Sequence, residues 1–395
     1  MRKILIYSIL LVLGLTLSQT ILPGILNYYP FAIDSIHFLT YLGLAFIMFF
    51  VGLEFHLDKK NLKNYKTDYI VAFTAATFPW ILTSLYFVAT QFSGEGWLSL
   101  DAWRESLFVG RFAAPTSAGI LFTMLAAAGL AGTWIFKKIR ILAIFDDLDT
   151  VLLLIPLKIL VMGFAWQLSV VLFILVFLSI FAWVFLRKVD LPLHGIYPML
   201  FSLVLVIICQ SIYYWSKGMN PQIPIHIEVL FPSFVLGLVV KLDDRKLQQI
   251  HSHERSLSIV GGIFMLLVGL NMPYVMDQLI GLSQREYLLL GFHVLMITLL
   301  SNLGKLYVLF NYQDEATLRE RLAVGIGMLP RGEVGAGVLV MALGLGLGGK
   351  IITIAMASLT LNLLLTGVFI WAVKRLSLRQ KVQRKLVPLN YSLPL

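Results

Sequence analysis

The sequence predicts an all-α polytopic membrane protein. Three observations predict this fold class: the composition, a series of long apolar segments, and basic residues that cluster between alternate segments. Of the 395 residues, 59% are hydrophobic and 13% are charged, and the mean hydropathy is +0.86. A soluble domain has roughly one half apolar and one quarter charged residues. The composition therefore excludes a soluble enzyme, a disordered chain and a nucleic-acid-binding domain, and the single cysteine, Cys209, excludes an internal disulfide.

About twelve apolar segments are long enough to cross a bilayer. A spanning helix needs about 20 mostly apolar residues, and helices are favoured because backbone groups in lipid must be hydrogen-bonded within the segment. The first segment follows Met1-Arg2-Lys3 and lacks a cleavage site, so we predict that it is an uncleaved span. The predicted spans are 3–22, 36–55, 68–92, 106–130, 139–161, 166–186, 195–215, 224–240, 256–275, 286–310, 320–346 and 350–374.

The basic residues orient these spans. With the N-terminus inside, 23 of the 31 Lys and Arg residues fall in inward-facing segments and four fall in outward-facing loops. This asymmetry is a strong positive-inside signal and predicts an even number of spans with both termini in the cytosol. We predict a transmembrane domain over residues 1–375 and a short basic cytosolic tail over 376–395. The net charge of +10 marks cytosolic loops, so no nucleic-acid partner is expected.

We single out nine of the charged residues within the predicted spans. A charge at the bilayer centre costs about 2.5–3.5 kcal/mol on insertion scales, so each is a candidate functional residue. They are Glu54, Arg111, Asp146, Asp147, Asp149, Lys158, Lys305, Arg331 and Glu333. Glu54 ends the second span, where it is expected to meet Lys59 or Lys60. His226 and Glu228, near the outer start of the eighth span, are expected to be interfacial.

Three acids lie together in the fifth span. Asp147 follows the basic residue Arg140 by seven positions, which places it about 10 Å deeper in the membrane at 1.5 Å per residue. Asp146 and Asp149 are three positions apart and share a helix face. We expect these carboxylates to face water, ions or a countercharge. The alternative is that the helix begins at Thr150 and leaves the acids in a cytosolic loop.

Lys305 lies five to six residues inside the tenth span. One interpretation pairs it with Asp146 or Asp147, because a nearby opposite charge lowers the cost of burying both groups. The alternative is that its long side chain reaches back to the cytosolic interface.

Two of the prolines within the predicted spans are followed directly by runs of polar residues or glycine. Pro115 precedes Thr116 and Ser117 in the fourth span, and Pro330 precedes Arg331, Gly332 and Glu333 in the eleventh. Proline removes a helix hydrogen bond, and the freed backbone groups can face ions, as in discontinuous transporter helices. Seven spans separate the two prolines, so their helices run in opposite directions. This predicts an inverted repeat with two broken, crossing helices; the alternatives are ordinary kinks and a structural Arg331–Glu333 ion pair.

Five pieces of sequence resemble, in order, the monovalent cation/proton antiporter superfamily, in particular its bacterial sodium/proton exchanger and Kef-like branch. They are Phe50 to Glu54, Ala113 to Ser117, Asp146-Asp147, Lys305, and Pro330 to Glu333. The resemblance implies an alternating-access carrier of the bacterial cytoplasmic membrane, usually a homodimer. It implies that Asp147 binds the ion or proton while Lys305 holds Asp146. Asp149 and Arg111 depart from the family pattern.

The expected function is therefore secondary active transport. We expect protons to exchange for a monovalent cation, sodium first, with potassium or lithium as alternatives. The cation would bind at Asp147, with Thr116 and Ser117 as neighbours. No enzyme activity and no cofactor are expected, because no nucleophile–base constellation appears in the sequence. A cation channel and a sodium-coupled solute symporter that use the same acids remain alternatives.

Overall fold

The fold was obtained as a computed structural model, which describes residues 2–29, 31–55, 62–92, 94–221, 223–243, 246, 250, 253–274, 283–347 and 349–386. Its regular elements are helical, as predicted. The α-helices, numbered in chain order, are α1 (Arg2–Thr20), α2 (Leu22–Tyr28), α3 (Phe31–Glu54), α4 (Leu62–Gln91), α5 (Leu100–Gly110), α6 (Ala118–Ala127), α7 (Trp134–Met162), α8 (Trp166–Val184), α9 (Tyr197–Met219), α10 (Leu230–Val239), α11 (Glu254–Leu270), α12 (Gln284–Lys305), α13 (Leu318–Gly327), α14 (Glu333–Gly344) and α15 (Lys350–Leu386). Short 3₁₀ turns cover Gly94–Leu98, Arg111–Ala113 and Leu306–Phe310.

Among the described residues, eight helical stretches are long and apolar enough to cross a membrane by length and composition. The stretch Leu100–Ala127, which spans α5 and α6, is among them, whereas α10 and α14 are apolar but shorter. The helix α7 spans 29 residues, yet it carries three aspartates in its central part and Lys158 near its C-terminal end. The all-helical membrane fold is confirmed, and the count of twelve spans stays a prediction.

The helical path is interrupted at both central prolines. The helix α5 ends at Gly110, a 3₁₀ turn covers Arg111–Ala113, and α6 begins at Ala118. In the second interruption, α13 ends at Gly327 and α14 begins at Glu333. The two non-helical segments touch, because the backbone N–H of Ser117 donates to the carbonyl of Pro330 at 2.9 Å. Each segment thus satisfies part of the other's unpaired backbone, which a buried break requires.

The predicted helical span 224–240 begins later than expected. Residues 223–229 have no regular structure, and the helix starts at Leu230. Burial alternates through this segment, with Ile223, Ile225, Ile227 and Val229 buried and the residues between them partly exposed. A period of two is typical of an extended chain, and Pro224 biases its predecessor away from the helical region. The apolar content of the segment suggested a helix, but its alternation indicated an extended chain.

Close helix contacts occur at two glycine pairs. Gly14 of α1 faces Gly269 of α11, and Gly52 of α3 faces Gly237 of α10. A Cβ atom at any of the four would lie 2.1–2.3 Å from a backbone carbonyl oxygen of the facing helix. Small residues let membrane helices approach at backbone distance, so these pairs fix the spacing of the helices around the site.

Candidate functional site

The helix α7 carries the three predicted acids into the protein interior. It runs without a break from Trp134 to Met162 and is N-capped by Thr133, whose hydroxyl accepts the N–H of Phe136 at 3.2 Å. Asp146, Asp147 and Asp149 are 0%, 6% and 1% exposed. The alternative in which the helix begins at Thr150 is therefore wrong. The acids lie on a continuous, buried stretch of helix.

Asp146 is held by an ion pair and a backbone donor. Its Oδ2 accepts Lys305 Nζ at 2.7 Å and the N–H of Thr116 at 2.7 Å. Lys305 is fully buried, so its side chain does not reach the cytosolic interface. The pairing of Lys305 with one aspartate, left open between Asp146 and Asp147, falls on Asp146. The bond from the Thr116 N–H to Asp146 ties α7 to the interruption between α5 and α6.

Asp147 has a different environment. Neither of its carboxylate oxygens has a hydrogen-bond partner among the described residues. The side chain faces a cleft between α7 and α14 on one side and α8 and α10 on the other. The cleft has room for about one water-sized particle, and its lining residues are Asp147, Leu148, Val151, Leu175, Glu228, Leu230, Phe231 and Val334. The arrangement leaves one buried carboxylate free to bind a proton or a small cation.

A larger apolar cleft adjoins the first. It shares Leu148 and Phe231 with the Asp147 cleft and extends to Phe55 and Ile141. These last two residues lie near the predicted cytosolic ends of their helices. Leu148 and Phe231 therefore separate Asp147 from this second space.

Asp149 lies on another side of α7. Its Oδ1 accepts the hydroxyl of Tyr69 at 2.9 Å, and its backbone carbonyl accepts Arg111 Nη2 at 3.1 Å. Arg111 is fully buried and places its guanidinium 4.9 Å from the ring centroid of Trp80. Asp149 and Arg111, the two residues that depart from the family pattern, are thus linked by the hydrogen bond from Arg111 to the Asp149 carbonyl.

Arg331 joins the two helix interruptions to α12. Its Nε donates to the carbonyl of Ala113 at 2.8 Å, and its Nη2 donates to the carbonyl of Ser301 at 2.9 Å. Its Nη1 donates to Asn302 Oδ1 at 2.7 Å, and its backbone N–H donates to Asn362 Oδ1 at 3.1 Å. The guanidinium is directed at carbonyl and amide oxygens, so the predicted alternative of a structural Arg331–Glu333 ion pair is wrong.

Glu333 turns towards the first interruption. Its Oε2 accepts the hydroxyl of Ser117 at 2.5 Å. The Thr116 hydroxyl donates to the carbonyl of Met328 at 2.9 Å. The two hydroxyls predicted as neighbours of Asp147 thus bond across the contact between the interruptions. Gly332 lies at this contact, where an added Cβ would be 2.6 Å from Ile120 Cδ1 and 3.2 Å from Ser117 Oγ.

Glu54 lies apart from this cluster. Its Oε2 is 3.4 Å from Arg140 Nη1, and its backbone carbonyl accepts Arg140 Nη2 at 3.3 Å. The predicted partners Lys59 and Lys60 lie outside the described residues. Glu54 therefore links the end of α3 to the first turns of α7.

Four further residues enter the site that the sequence analysis did not assign to it. Tyr69 and Asn302 bond to predicted site residues, and Asn362 Nδ2 donates to Asn302 Oδ1 at 2.9 Å. Glu228 lines the Asp147 cleft rather than the interface where it was expected. The alternation of residues 223–229 was the signal for Glu228, and no comparable pattern marks Tyr69.

The fold and the buried charges are consistent with a membrane transporter, and the family match assigns the chain to a transporter family rather than to an enzyme family. Residues 3–374 match the family described as "Sodium/hydrogen exchanger, transmembrane", and the chain belongs to this family. The resemblance found in the sequence is confirmed at this level. The fold is similar to the structure of the sodium proton antiporter MjNhaP1 from Methanocaldococcus jannaschii at pH 8, with a TM-score of 0.56, 16% identity, and coverage of 94% of this chain and 92% of that chain. No curated protein sequence matched.

Proposed function

We propose that the protein exchanges protons for a monovalent cation by alternating access at Asp147. The observation that carries this proposal is the contrast between two adjacent buried carboxylates. Asp146 is neutralised by Lys305 at 2.7 Å. Asp147, by contrast, has two oxygens without a hydrogen-bond partner in the described part of the chain, and it faces a cleft for about one water-sized particle. A site of this kind accepts one small positive charge.

Burial makes the two ligands of Asp147 mutually exclusive. An ionised carboxylate is costly in a low-dielectric interior unless a countercharge neutralises it. A proton or a hard monovalent cation removes this cost, and binding of one excludes the other. The competition couples the two fluxes, and the first candidate is sodium, with potassium and lithium as alternatives.

The remaining site residues support this carboxylate. Lys305 and Thr116 hold Asp146, while Ser117, Glu333 and Arg331 hold the two interruptions together. Their role is to position α7 and α14, which line the Asp147 cleft. Asp149 adds a buried charge bonded to Tyr69, and Glu54 links α3 to α7.

We also propose the finer architecture: twelve spans, an inverted repeat, and crossing helices broken at Pro115 and Pro330. The glycine pairs support the repeat. Gly14 and Gly269 join spans one and nine, and Gly52 and Gly237 join spans two and eight. In the proposed repeat, span one corresponds to span eight and span two to span nine, an offset of seven. The contact between spans one and nine therefore corresponds to the contact between spans eight and two, as an inverted repeat requires. The same offset carries Asp147 of span five to span twelve, which contributes Asn362.

The proposed setting is the bacterial cytoplasmic membrane, with both termini cytosolic, residues 1–375 as the transport domain and 376–395 as a basic tail. A homodimer of the Kef-like branch is part of the same proposal. The support is the distribution of basic residues and the ordered motifs of the sequence.

Inverted membrane vesicles that hold a proton gradient test the function. We expect sodium or lithium to collapse the gradient with wild-type protein and to leave it intact with Asp147→Asn. Asp314→Asn is the matched control, because Asp314 is an exposed acid of a loop between helices. Equal dissipation by wild type and Asp147→Asn contradicts the proposal.

Saturation separates the proposal from its alternatives. An exchanger saturates with cation and keeps a fixed ratio of cation to proton, whereas a channel lets either ion pass without the other. A sodium-coupled symporter needs a solute site. The small Asp147 cleft and the apolar lining of the space beside it support an ion rather than a polar solute.

A further inference from the structure

The extended chain 223–229 directs one acid into the Asp147 cleft. Ile225, Ile227 and Val229 pack into a buried cluster with Val206 and Cys209 of α9. Glu228 alternates with these apolar residues along the extended chain, and it lines the same cleft as Asp147. The apolar side of the segment thus fixes the direction of its acidic side.

The segment is anchored at both ends. The N–H of Ile225 donates to the hydroxyl of Ser216 at 2.8 Å, and α10 begins directly after Val229, at Leu230. Glu228 is further located by His226, whose Nε2 is 3.7 Å from Glu228 Oε1 and whose ring packs edge-on against Tyr213 at 5.7 Å. The position of Glu228 is therefore fixed by the packing and hydrogen bonding of residues on both sides of it.

The opposite wall of the cleft provides the second observation. Asp147 is 94% buried, since its exposure is 6%, and both of its oxygens lack a hydrogen-bond partner among the described residues. A cleft with room for about one water-sized particle thus has carboxylates on two walls. Oxygen ligands of this type are those that hard cations prefer.

We propose that Glu228 is a second ligand for the transported monovalent cation, facing Asp147 across the cleft and receiving the ion from the outer side. This inference rests on the proposed exchange at Asp147 and on the proposed orientation. Asp147 belongs to α7, whereas Glu228 belongs to the segment that packs with α9. A relative displacement of these two parts during alternating access separates the two carboxylates. Glu228 then stabilises the bound cation in the outward-facing state, and Asp147 holds the cation while the protein changes to the inward-facing state.

A sided transport assay tests this assignment. Full-length protein is reconstituted in oriented proteoliposomes, and the KM for sodium and for lithium is measured separately at the outer and cytosolic faces. Glu228→Gln is expected to raise the outer KM about tenfold, which corresponds to about 1.4 kcal/mol. The cytosolic KM is expected to change less than about twofold. Glu228→Asp keeps the charge and is expected to restore part of the outer affinity.

Asp34→Asn is the matched control, because Asp34 is an exposed acid in the first turn of α3, on the predicted outer side and outside the cleft lining. It is expected to leave both KM values unchanged. An outer KM for Glu228→Gln equal to that of wild type overturns the assignment, and so does an equal rise at both faces. If Glu228→Gln is not recovered as folded protein, Glu228→Asp tests the assignment in its place. Its carboxylate is one methylene shorter, so a ligand role predicts a changed outer KM. Wild-type outer KM values for both sodium and lithium would then overturn the assignment.

Failure of the underlying function gives a different result. If wild-type protein does not exchange protons for any of the three cations, the proposed function fails. If wild type exchanges, Asp147→Asn does not, and Glu228→Gln resembles wild type at both faces, only the assignment of Glu228 fails.

Discussion

Asp146 and Asp147 are adjacent on one helix and lie in opposite environments. Asp146 accepts Lys305 and the N–H of Thr116, both at 2.7 Å. Asp147 accepts no hydrogen bond among the described residues and faces a cleft. Neighbouring side chains of a helix point in different directions, so a single pair of residues reaches both a fixed network and an open space. The comparison separates a charge that holds the fold from a charge that is available to a ligand.

The network side is extensive. Arg331 donates to Ala113, Ser301 and Asn302, and its backbone N–H reaches Asn362. These bonds connect both interruptions with α12 and α15. The cleft side, by contrast, is lined mainly by apolar residues. Substitutions on the two sides therefore have different expected consequences, the network affecting stability and the cleft affecting transport.

The largest expected effect on stability follows from breaking the ion pair. Lys305→Met leaves the Asp146 carboxylate buried without a countercharge, and removal of one partner of a buried pair costs about 3–5 kcal/mol. We expect this loss in the free energy of unfolding measured by denaturant titration in detergent micelles. The double variant Lys305→Met with Asp146→Asn is expected to recover most of it.

Lys350→Met is the control for loss of a positive charge, because Lys350 is exposed at the start of α15.

Asp147→Asn sharpens the comparison further. It removes a buried carboxylate that has no hydrogen-bond partner among the described residues, so it is expected not to destabilise the protein. An equal loss in the free energy of unfolding for Asp146→Asn and Asp147→Asn would contradict the distinction between the two acids.

A smaller effect is expected where the two interruptions touch. Gly332→Ala places a methyl group 2.6 Å from Ile120 Cδ1, and overpacking of this kind costs about 1–3 kcal/mol. The melting temperature in detergent should fall, and exchange should slow because the contact between the interruptions shifts. Shortening the neighbour with Ile120→Val should recover part of both losses.

Gly337→Ala, on the helix α14 that begins directly after Gly332, is the matched control. A Cβ atom at Gly337 would meet nothing within 4 Å, and alanine is the better helix former by about 1 kcal/mol. This variant is expected to keep or raise the melting temperature. A fall equal to that of Gly332→Ala would show that the helix, not the contact, is sensitive.

Much of the framework is visible in the sequence. Charges are rare inside spans, and so are prolines followed by runs of polar residues or glycine, so Lys305, Pro115 and Pro330 are recognisable in the sequence. In the structure Lys305 pairs with Asp146, and the helical path is interrupted at Pro115 and at Pro330. Such features are local or unusual enough to be recognised without an alignment of homologues. The family match supports the same interpretation.

Other parts of the site depend on packing that the sequence does not encode locally. Glu228 lines the Asp147 cleft because residues 223–229 are extended. In the sequence, these seven residues precede an apolar helix and resemble the start of a span. Thr116 and Ser117 were expected beside Asp147, yet their hydroxyls bond to Met328 and Glu333. Which oxygen each donor meets depends on the contact between two segments more than 200 positions apart.

Sodium-driven proton release from purified protein tests the central claim most directly. In weakly buffered detergent solution, wild-type protein is expected to release protons when sodium is added, because the cation displaces a proton from Asp147. Asp147→Asn is expected to release none, whereas Asp149→Asn, two positions away on the same helix, is expected to retain a sodium-dependent release. Proton release by Asp147→Asn at the wild-type level would contradict the account, since exchange would then occur at another group.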